Sequence, residues 1–74
     1  MYLHIGNNYM IYEKNIIGIF NIKNCKKEQV ESLVDNKYII DISDGKQKSY
    51  ILVKENEILK IYISNISSIT LARR

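Results

Sequence analysis

The sequence predicts an α+β fold, with a small, mostly antiparallel sheet, one amphipathic helix and a short C-terminal helical turn or tail. Period-two alternation of apolar residues, typical of strands, occurs in several short segments along the chain. Val30, Leu33 and Val34 have the i, i+3, i+4 spacing of one short amphipathic helix. Turn-forming glycine, asparagine and aspartate residues separate these segments, and there is no proline.

Three strands are predicted before the helix. Tyr2–Ile5 and Tyr9–Tyr12 flank a turn at Gly6-Asn7-Asn8, where glycine and asparagine tolerate positive φ. A second tight connection, Glu13-Lys14-Asn15, leads to the third strand, Ile16–Ile22. The first part of the chain is therefore predicted to be strand-rich.

The third strand is apolar on both of its alternating sets of residues. One face is expected to carry Ile16, Phe20 and Ile22, and the other Ile17 and Ile19. A strand that is apolar on both faces is usually buried on both, so one face is expected to contact the helix. The other is expected to contact a neighbouring subunit, which makes Ile17 and Ile19 the predicted oligomer interface.

The helix is predicted over about Lys26–Asp35. Asn24 is the expected N-cap, because its side chain can accept a hydrogen bond from a free backbone N–H of the first turn. Asn36 is expected to end the helix in the left-handed conformation.

Period-two alternation returns with a strand at Tyr38–Ser43. Asp44-Gly45 predicts a type I′ hairpin, because that turn needs positive φ at both central positions. The return strand is Tyr50–Lys54, and a turn at Glu55-Asn56 precedes the last strand, Ile58–Ile63.

The last strand and the tail complete the prediction. Along the strand, one face is expected to carry Leu59, Ile61 and Ile63, and the other Ile58, Lys60 and Tyr62. The tail begins at Ser64-Asn65 and is expected to form a helical turn or extended segment with Ile66, Ile69 and Leu71.

Length and composition predict a single domain, residues 1–74, that associates with itself. The chain has 74 residues, and 46% of them are hydrophobic. A domain this small buries a limited core, and its lone cysteine excludes an internal disulfide. Association with other copies is the remaining way to bury the apolar side chains. The lone cysteine and the absence of a 20-residue apolar run indicate a cytoplasmic protein without membrane contact.

The sequence contains no pattern that indicates catalysis, a cofactor, a metal site or a small-molecule substrate. His4 is the only histidine and Cys25 the only cysteine, and neither has a partner at a spacing typical of catalytic or metal sites. The carboxylates are scattered, and the three glycines are too far apart for a phosphate-binding loop. We therefore predict a protein that is not an enzyme.

Basic residues on predicted turns are the candidate binding residues. Lys14 lies in the connection before the third strand, and Lys46 and Lys48 lie beside the Asp44-Gly45 turn. The net charge is +3, which favours an anionic partner. Three lysines on one subunit bind nucleic acid weakly, but an oligomer repeats them and phosphate neutralisation accumulates along a duplex.

Several segments in the same order resemble the Rem family of extracellular matrix regulators, nearest its RemB branch. The opening Met1-Tyr2-Leu3-His4-Ile5-Gly6 and the strand Ile16-Ile17-Gly18-Ile19-Phe20 are similar to the corresponding family segments. Lys48-Ser49 resembles the start of the family's return strand. The ending Ser67-Ser68-Ile69-Thr70-Leu71, followed by Arg73-Arg74, resembles its C-terminus.

The resemblance implies a regulator of extracellular matrix and biofilm genes. It implies closed homo-oligomeric rings of about seven or eight subunits that bind DNA through basic residues on the outer surface. It also implies a subunit fold that is partly similar to LytTR domains. The family's basic position before the third strand corresponds to Lys14, and its paired hairpin arginines correspond to Lys46 and Gln47. Only one of these two charges is retained, with Lys48 as a substitute, and lysine lacks arginine's bidentate contact with phosphate.

Two functions from different classes remain open. The first is a ring-forming, DNA-binding transcription regulator that uses Lys14, Lys46 and Lys48 on the phosphate backbone, with Arg73 and Arg74 as further DNA-binding candidates. The second is an oligomeric scaffold or adaptor that binds a protein partner and has little or no DNA binding. Glu13 and Asp44, which are adjacent to these lysines or their turn, favour the second.

Overall fold

The computed structural model describes all 74 residues and confirms an α+β fold. The strands are β1 (Tyr2–Gly6), β2 (Tyr9–Tyr12), β3 (Ile16–Asn21), β4 (Ile39–Asp41), β5 (Ser49–Glu55) and β6 (Ile58–Ser64). The helices are α1 (Lys27–Glu31) and α2 (Ser68–Arg73). Short 3-10 turns occupy Glu13–Asn15, Ile22–Asn24 and Asn36–Tyr38.

The strands form two sheets. β1 and β2 form an antiparallel hairpin whose turn residues, Asn7 and Asn8, have φ of 50° and 65°. The other four strands form one sheet in the order β3-β5-β6-β4. β5 pairs antiparallel with both β3 and β6, whereas β4 runs parallel to β6. The turn between β5 and β6 is Asn56-Glu57, where both φ values are positive.

The four-stranded sheet is covered on both faces, so the fold has three layers. One face packs against the β1–β2 hairpin and α2 in a core formed by Leu3, Ile5, Ile11, Ile42, Ile51, Val53, Tyr62 and Leu71. The opposite face is covered by α1 through Val30, which packs against Tyr50, Ile61 and Ile63. The alternation predicted for the last strand is therefore confirmed, since Tyr62 and its neighbours Ile61 and Ile63 contact opposite layers.

The predicted face assignment of β3 is wrong because the strand contains a bulge. Ile16 pairs with Val53 and Gly18 with Leu52, so Ile17 is an extra residue in the ladder. Ile16 and Ile19 consequently pack against the same core, on the hairpin side. Phe20 lies on the α1 side.

The burial predicted for both faces of β3 does not occur within one subunit. β3 is an edge strand that pairs only with β5, and the side chain of Ile17 is 56% exposed. Ile19 is half-buried against the subunit's own core. The contact of Ile17 and Ile19 with a second subunit stays a prediction.

The predicted helix is too long and its ends are misplaced. α1 covers only Lys27–Glu31, with Lys26 as N-cap, whereas Asn24 ends a 3-10 turn. Asn36 begins another 3-10 turn and does not have positive φ. The five residues Val30–Val34 include valine and serine, which are poor helix formers, and so short a helix depends on tertiary packing.

The turn predicted at Asp44-Gly45 is confirmed, but the hairpin is wrong. Asp44 and Gly45 have φ of 55° and 82°, and the Lys46 N–H donates to the Ser43 carbonyl over 3.1 Å. The strand before this turn does not pair with β5. Both edges of β5 are occupied by β3 and β6, so β4 pairs with the free edge of β6, which it reaches in parallel orientation.

Replacing Gly45 with valine is expected to lower stability by about 1–2 kcal/mol, because a side chain disfavours the left-handed conformation. No atom lies within 4 Å of the position that a Cβ would take, so the cost is conformational and not steric. For a domain of this size the melting temperature should fall by roughly 4–16 °C. Gly45→Asn is the control, since asparagine tolerates positive φ. Equal melting temperatures for Gly45→Val and the wild type would contradict this conformation.

Candidate functional site

One end of the four-stranded sheet collects several polar loops. We call it the loop end, and it consists of residues 21–23, 41–48 and 64–67. Lys48 joins these segments through its backbone, because its N–H donates to the Ser64 carbonyl over 2.9 Å. Its carbonyl accepts a hydrogen bond from the Ile22 N–H over 3.2 Å. The position of Lys48 is therefore set by neighbours on both sides.

Asp41 organises the loop that carries Lys46 and Lys48. Its carboxylate accepts hydrogen bonds from the N–H and hydroxyl of Ser43 and, over 3.0 Å, from the Gln47 amide. The hydrogen bond from the Ser43 hydroxyl is the main cause that lowers the pKa of Asp41 below its ordinary value of 3.8. The deprotonated carboxylate thus stabilises the loop.

Stability is expected to depend on the protonation of Asp41 in acid. Because folding lowers the pKa of Asp41, its ionised carboxylate contributes fully to the stability of the fold above about pH 4. This contribution is lost as the pH falls through the folded-state pKa. Asp41→Asn removes the charge and is the reference variant. The difference in urea midpoint between wild type and Asp41→Asn should be constant from pH 7 to pH 5 and shrink towards pH 2.5. A difference that does not change with pH would contradict the role of the charge.

The five predicted DNA-binding residues lie at two different places. Lys46 and Lys48 are exposed at the loop end. Lys14 lies in the 3-10 turn before β3, at the opposite end of the sheet. The pairing of β3 with β5 separates the two ends by the length of β3, about 17 Å at strand spacing.

Arg74 lies near the Lys14 end of the molecule. Arg74 and Glu13 line the same shallow depression. The Arg74 guanidinium donates to the His4 carbonyl over 2.8 Å and lies 3.4 Å from its ring Nδ1. Arg73 is exposed in the last turn of α2. Arg74 is thus anchored to β1.

None of these five basic residues forms an ion pair. The three ion pairs of the chain are Lys27–Glu31, Lys54–Glu57 and Lys60–Glu55, at 3.9, 3.6 and 3.5 Å. Lys14, Lys46 and Lys48 therefore present uncompensated ammonium groups to solvent.

A further lysine, Lys23, belongs to the loop end and was not singled out in the sequence. It follows β3 in a 3-10 turn and lines a polar cavity of about 220 Å³ together with Lys48, Asn21, Ile22, Gln47 and Ser67. Lys23 and Lys48 are 25 positions apart in the chain, so no local spacing could reveal their proximity. The pairing of Asn21 with Ser49 brings them together.

The α1 side of the sheet carries an apolar groove of about 240 Å³. Phe20, Leu33 and Tyr50 are among its lining residues, and Leu33 is 54% exposed. Burial raises the pKa of the Tyr50 phenol. Cys25 also lines the groove and is half-buried.

The subunit contains no cluster of three His, Cys, Asp or Glu side chains that could bind a metal ion. His4, the only histidine, has Arg74 as its side-chain neighbour in hydrogen-bond range. Neither α1 nor α2, with five and six residues, reaches the length needed to span a membrane.

Comparison with known proteins identifies the family. The family model described as RemA-like, extracellular matrix regulatory protein A-like, matches residues 2–74. Extracellular matrix regulatory protein B of Bacillus subtilis (strain 168) is 30% identical over 76 aligned positions, which cover 100% of this chain and 89% of the relative. Both descriptions are of regulatory proteins and support the resemblance to the RemB branch. The chain belongs to the RemA-like family of extracellular matrix regulatory proteins.

Proposed function

We propose that this protein is a ring-forming transcription regulator of extracellular matrix and biofilm genes that binds the DNA backbone through lysines on its turns. The observation that carries the proposal is the set of exposed, unpaired ammonium groups of Lys14, Lys46 and Lys48. Lys27, Lys54 and Lys60 are partly neutralised by glutamates, whereas Lys14, Lys46 and Lys48 are free to neutralise phosphates.

Assembly into rings of about seven or eight copies makes these few charges effective. The two ends of one subunit are about 17 Å apart, so a duplex that contacts only one end meets few lysines of that subunit. Repetition around a ring supplies the same contacts many times. The exposed Ile17 on the edge strand β3 supports such an assembly, because an isoleucine side chain gains from removal from water.

Lysine contacts with phosphates position a duplex but carry little base information. Lysine binds phosphate as a point charge, without the bidentate geometry of arginine. Sequence preference is therefore expected to come from DNA bending and deformability around the ring. The protein acts in the cytoplasm and needs no cofactor in this proposal.

The test combines a mass measurement with DNA binding. Light scattering at micromolar concentration should give a multiple of the 8.7 kDa subunit mass. DNA mobility shifts from 50 to 300 mM salt should show affinity falling steeply and linearly on logarithmic axes. A monomer, or a wild type that binds no DNA even at 50 mM salt, would contradict the proposal.

The alternative is an oligomeric scaffold or adaptor that binds a protein partner. The apolar groove beside α1, with the exposed Leu33 at its rim, is the observation that favours it. Asp44 on the turn before Lys46 also reduces the positive potential of the loop end. A ring-sized particle without DNA affinity at low salt would support this function.

A further inference from the structure

We propose that the polar cavity at the loop end is a binding site for a single phosphate group, held between Lys23 and Lys48. The cavity lies between the 3-10 turn after β3, the segment before β5 and the start of α2. This inference deepens the proposed function, since a DNA backbone phosphate is one source of the ligand. A free phosphate is the other source, and the site can be tested without DNA.

The lining of the cavity has the chemistry of an anion site. Two lysines line it, Lys23 and Lys48, and none of its six lining residues is acidic. Neither lysine has a carboxylate within ion-pair distance. Two neighbouring like charges repel each other, and a phosphate between them replaces that repulsion by charge-assisted hydrogen bonds.

The backbones that carry the two lysines are fixed by hydrogen bonds. The Lys23 N–H donates to Oδ1 of Asn21 over 2.9 Å, and this bond shapes the 3-10 turn. The Asn21 side chain thereby keeps its amide N–H groups as further donors. Lys48 is held by Ser64 and Ile22 through its own N–H and carbonyl. Such prior ordering lowers the entropic cost of binding.

The Ser67 and Gln47 side chains at the cavity already form hydrogen bonds within the chain. The Ser67 hydroxyl caps α2 by accepting from the Thr70 N–H, and it donates to the Thr70 hydroxyl. The Gln47 amide donates to Asp41, whose carboxylate also accepts two hydrogen bonds from Ser43. The Asp41 carboxylate is therefore held by Ser43 and Gln47 and forms no ion pair with Lys23 or Lys48.

The size of the cavity selects a small ligand. Its volume of about 220 Å³ has room for several water molecules. A phosphate group fits this space with its hydration partly retained. The lining contains a single hydrophobic residue, Ile22, so it offers no aromatic surface on which a base could stack.

The first experiment uses inorganic phosphate as the probe. Thermal unfolding of the oligomer is measured with increasing phosphate against chloride at equal ionic strength, for wild type, Lys23→Ala and Lys48→Ala. Lys37→Ala is the control, because it removes the same charge from a lysine that lies over the ring of Tyr38. Phosphate should raise the melting temperature of wild type and control. The apparent phosphate affinity should fall about ten- to a hundredfold in both cavity variants.

The second experiment uses DNA over a salt series with the same four proteins. Lys23→Ala should flatten the slope of log affinity against log salt by about 0.9 for each subunit that contacts the duplex. Lys37→Ala should leave that slope unchanged. Light scattering on every variant should give the wild-type mass, since both cavity lysines are exposed at the loop end.

Each outcome has a distinct meaning. An effect of Lys23→Ala in the DNA experiment supports the site with a backbone phosphate as its ligand. An effect on inorganic phosphate without any DNA binding by the wild type supports the site with a free phosphate and rejects the proposed function. If wild type binds DNA and Lys23→Ala matches Lys37→Ala in both experiments, the site is wrong and the proposed function stands.

Discussion

Replacing Lys14, Lys46 and Lys48 together with alanine is expected to abolish most DNA binding without changing the mass of the oligomer. All three side chains are exposed and unpaired, so their removal costs little folding free energy. Each lost phosphate contact lowers the salt slope by about 0.9. Because these are backbone contacts, affinity should fall equally on unrelated DNA sequences.

A matched control distinguishes the loss of specific phosphate contacts from the loss of net positive charge. Replacing Lys37, Lys54 and Lys60 also removes three positive charges, but two of these lysines are paired with glutamates. That variant should keep most of its affinity. A triple Lys14/Lys46/Lys48 variant that binds DNA with the wild-type salt slope would show that a different surface contacts DNA.

The contribution of each end of the sheet to DNA binding can also be tested independently. The double variant Lys46→Ala/Lys48→Ala changes only the loop end, whereas Lys14→Ala changes only the opposite end. Equal losses of DNA affinity would indicate that both ends of the sheet contact DNA, either in one subunit or in different subunits of the ring. A loss confined to the double variant would assign DNA binding to the loop end.

Replacing Ile17 with aspartate is expected to dissociate the oligomer into folded subunits of 8.7 kDa. The Ile17 side chain is 56% exposed at the bulge of β3, so the charge stays solvated in an isolated subunit. In an assembly that covers this side chain, the aspartate would be buried without a partner at a cost of several kcal/mol. Light scattering measures the mass, and circular dichroism tests whether the subunit remains folded.

Ile19→Asp is expected to act differently, because Ile19 packs against the core between the sheet and the hairpin. That substitution should lower the melting temperature or prevent folding. Met10→Asp is the control, since Met10 is 58% exposed on the outer face of the β1–β2 hairpin. An Ile17→Asp variant with wild-type mass would exclude this part of β3 from the interface.

The strands and most of the turns were predictable from short-range patterns, whereas the extent of the helix was not. Period two indicated the strands, and paired residues that tolerate positive φ indicated the turns at Asn7-Asn8 and Asp44-Gly45. The faces of β6 were predictable for the same reason, because a regular strand alternates its side chains. The family could be recognised from short segments such as Ile16–Phe20, and the comparisons confirm it.

The fold class, the approximate positions of the strands and turns, the family, and the basic residues on turns followed from the sequence alone. These properties depend on near neighbours in the chain. The tertiary structure settled which strands pair, since β5 can accept just two neighbours and β4 therefore joins β6 in parallel. It also decided the bulge that turns Ile17 outward and the proximity of Lys23 to Lys48. Both depend on the register between distant strands, which no local pattern specifies.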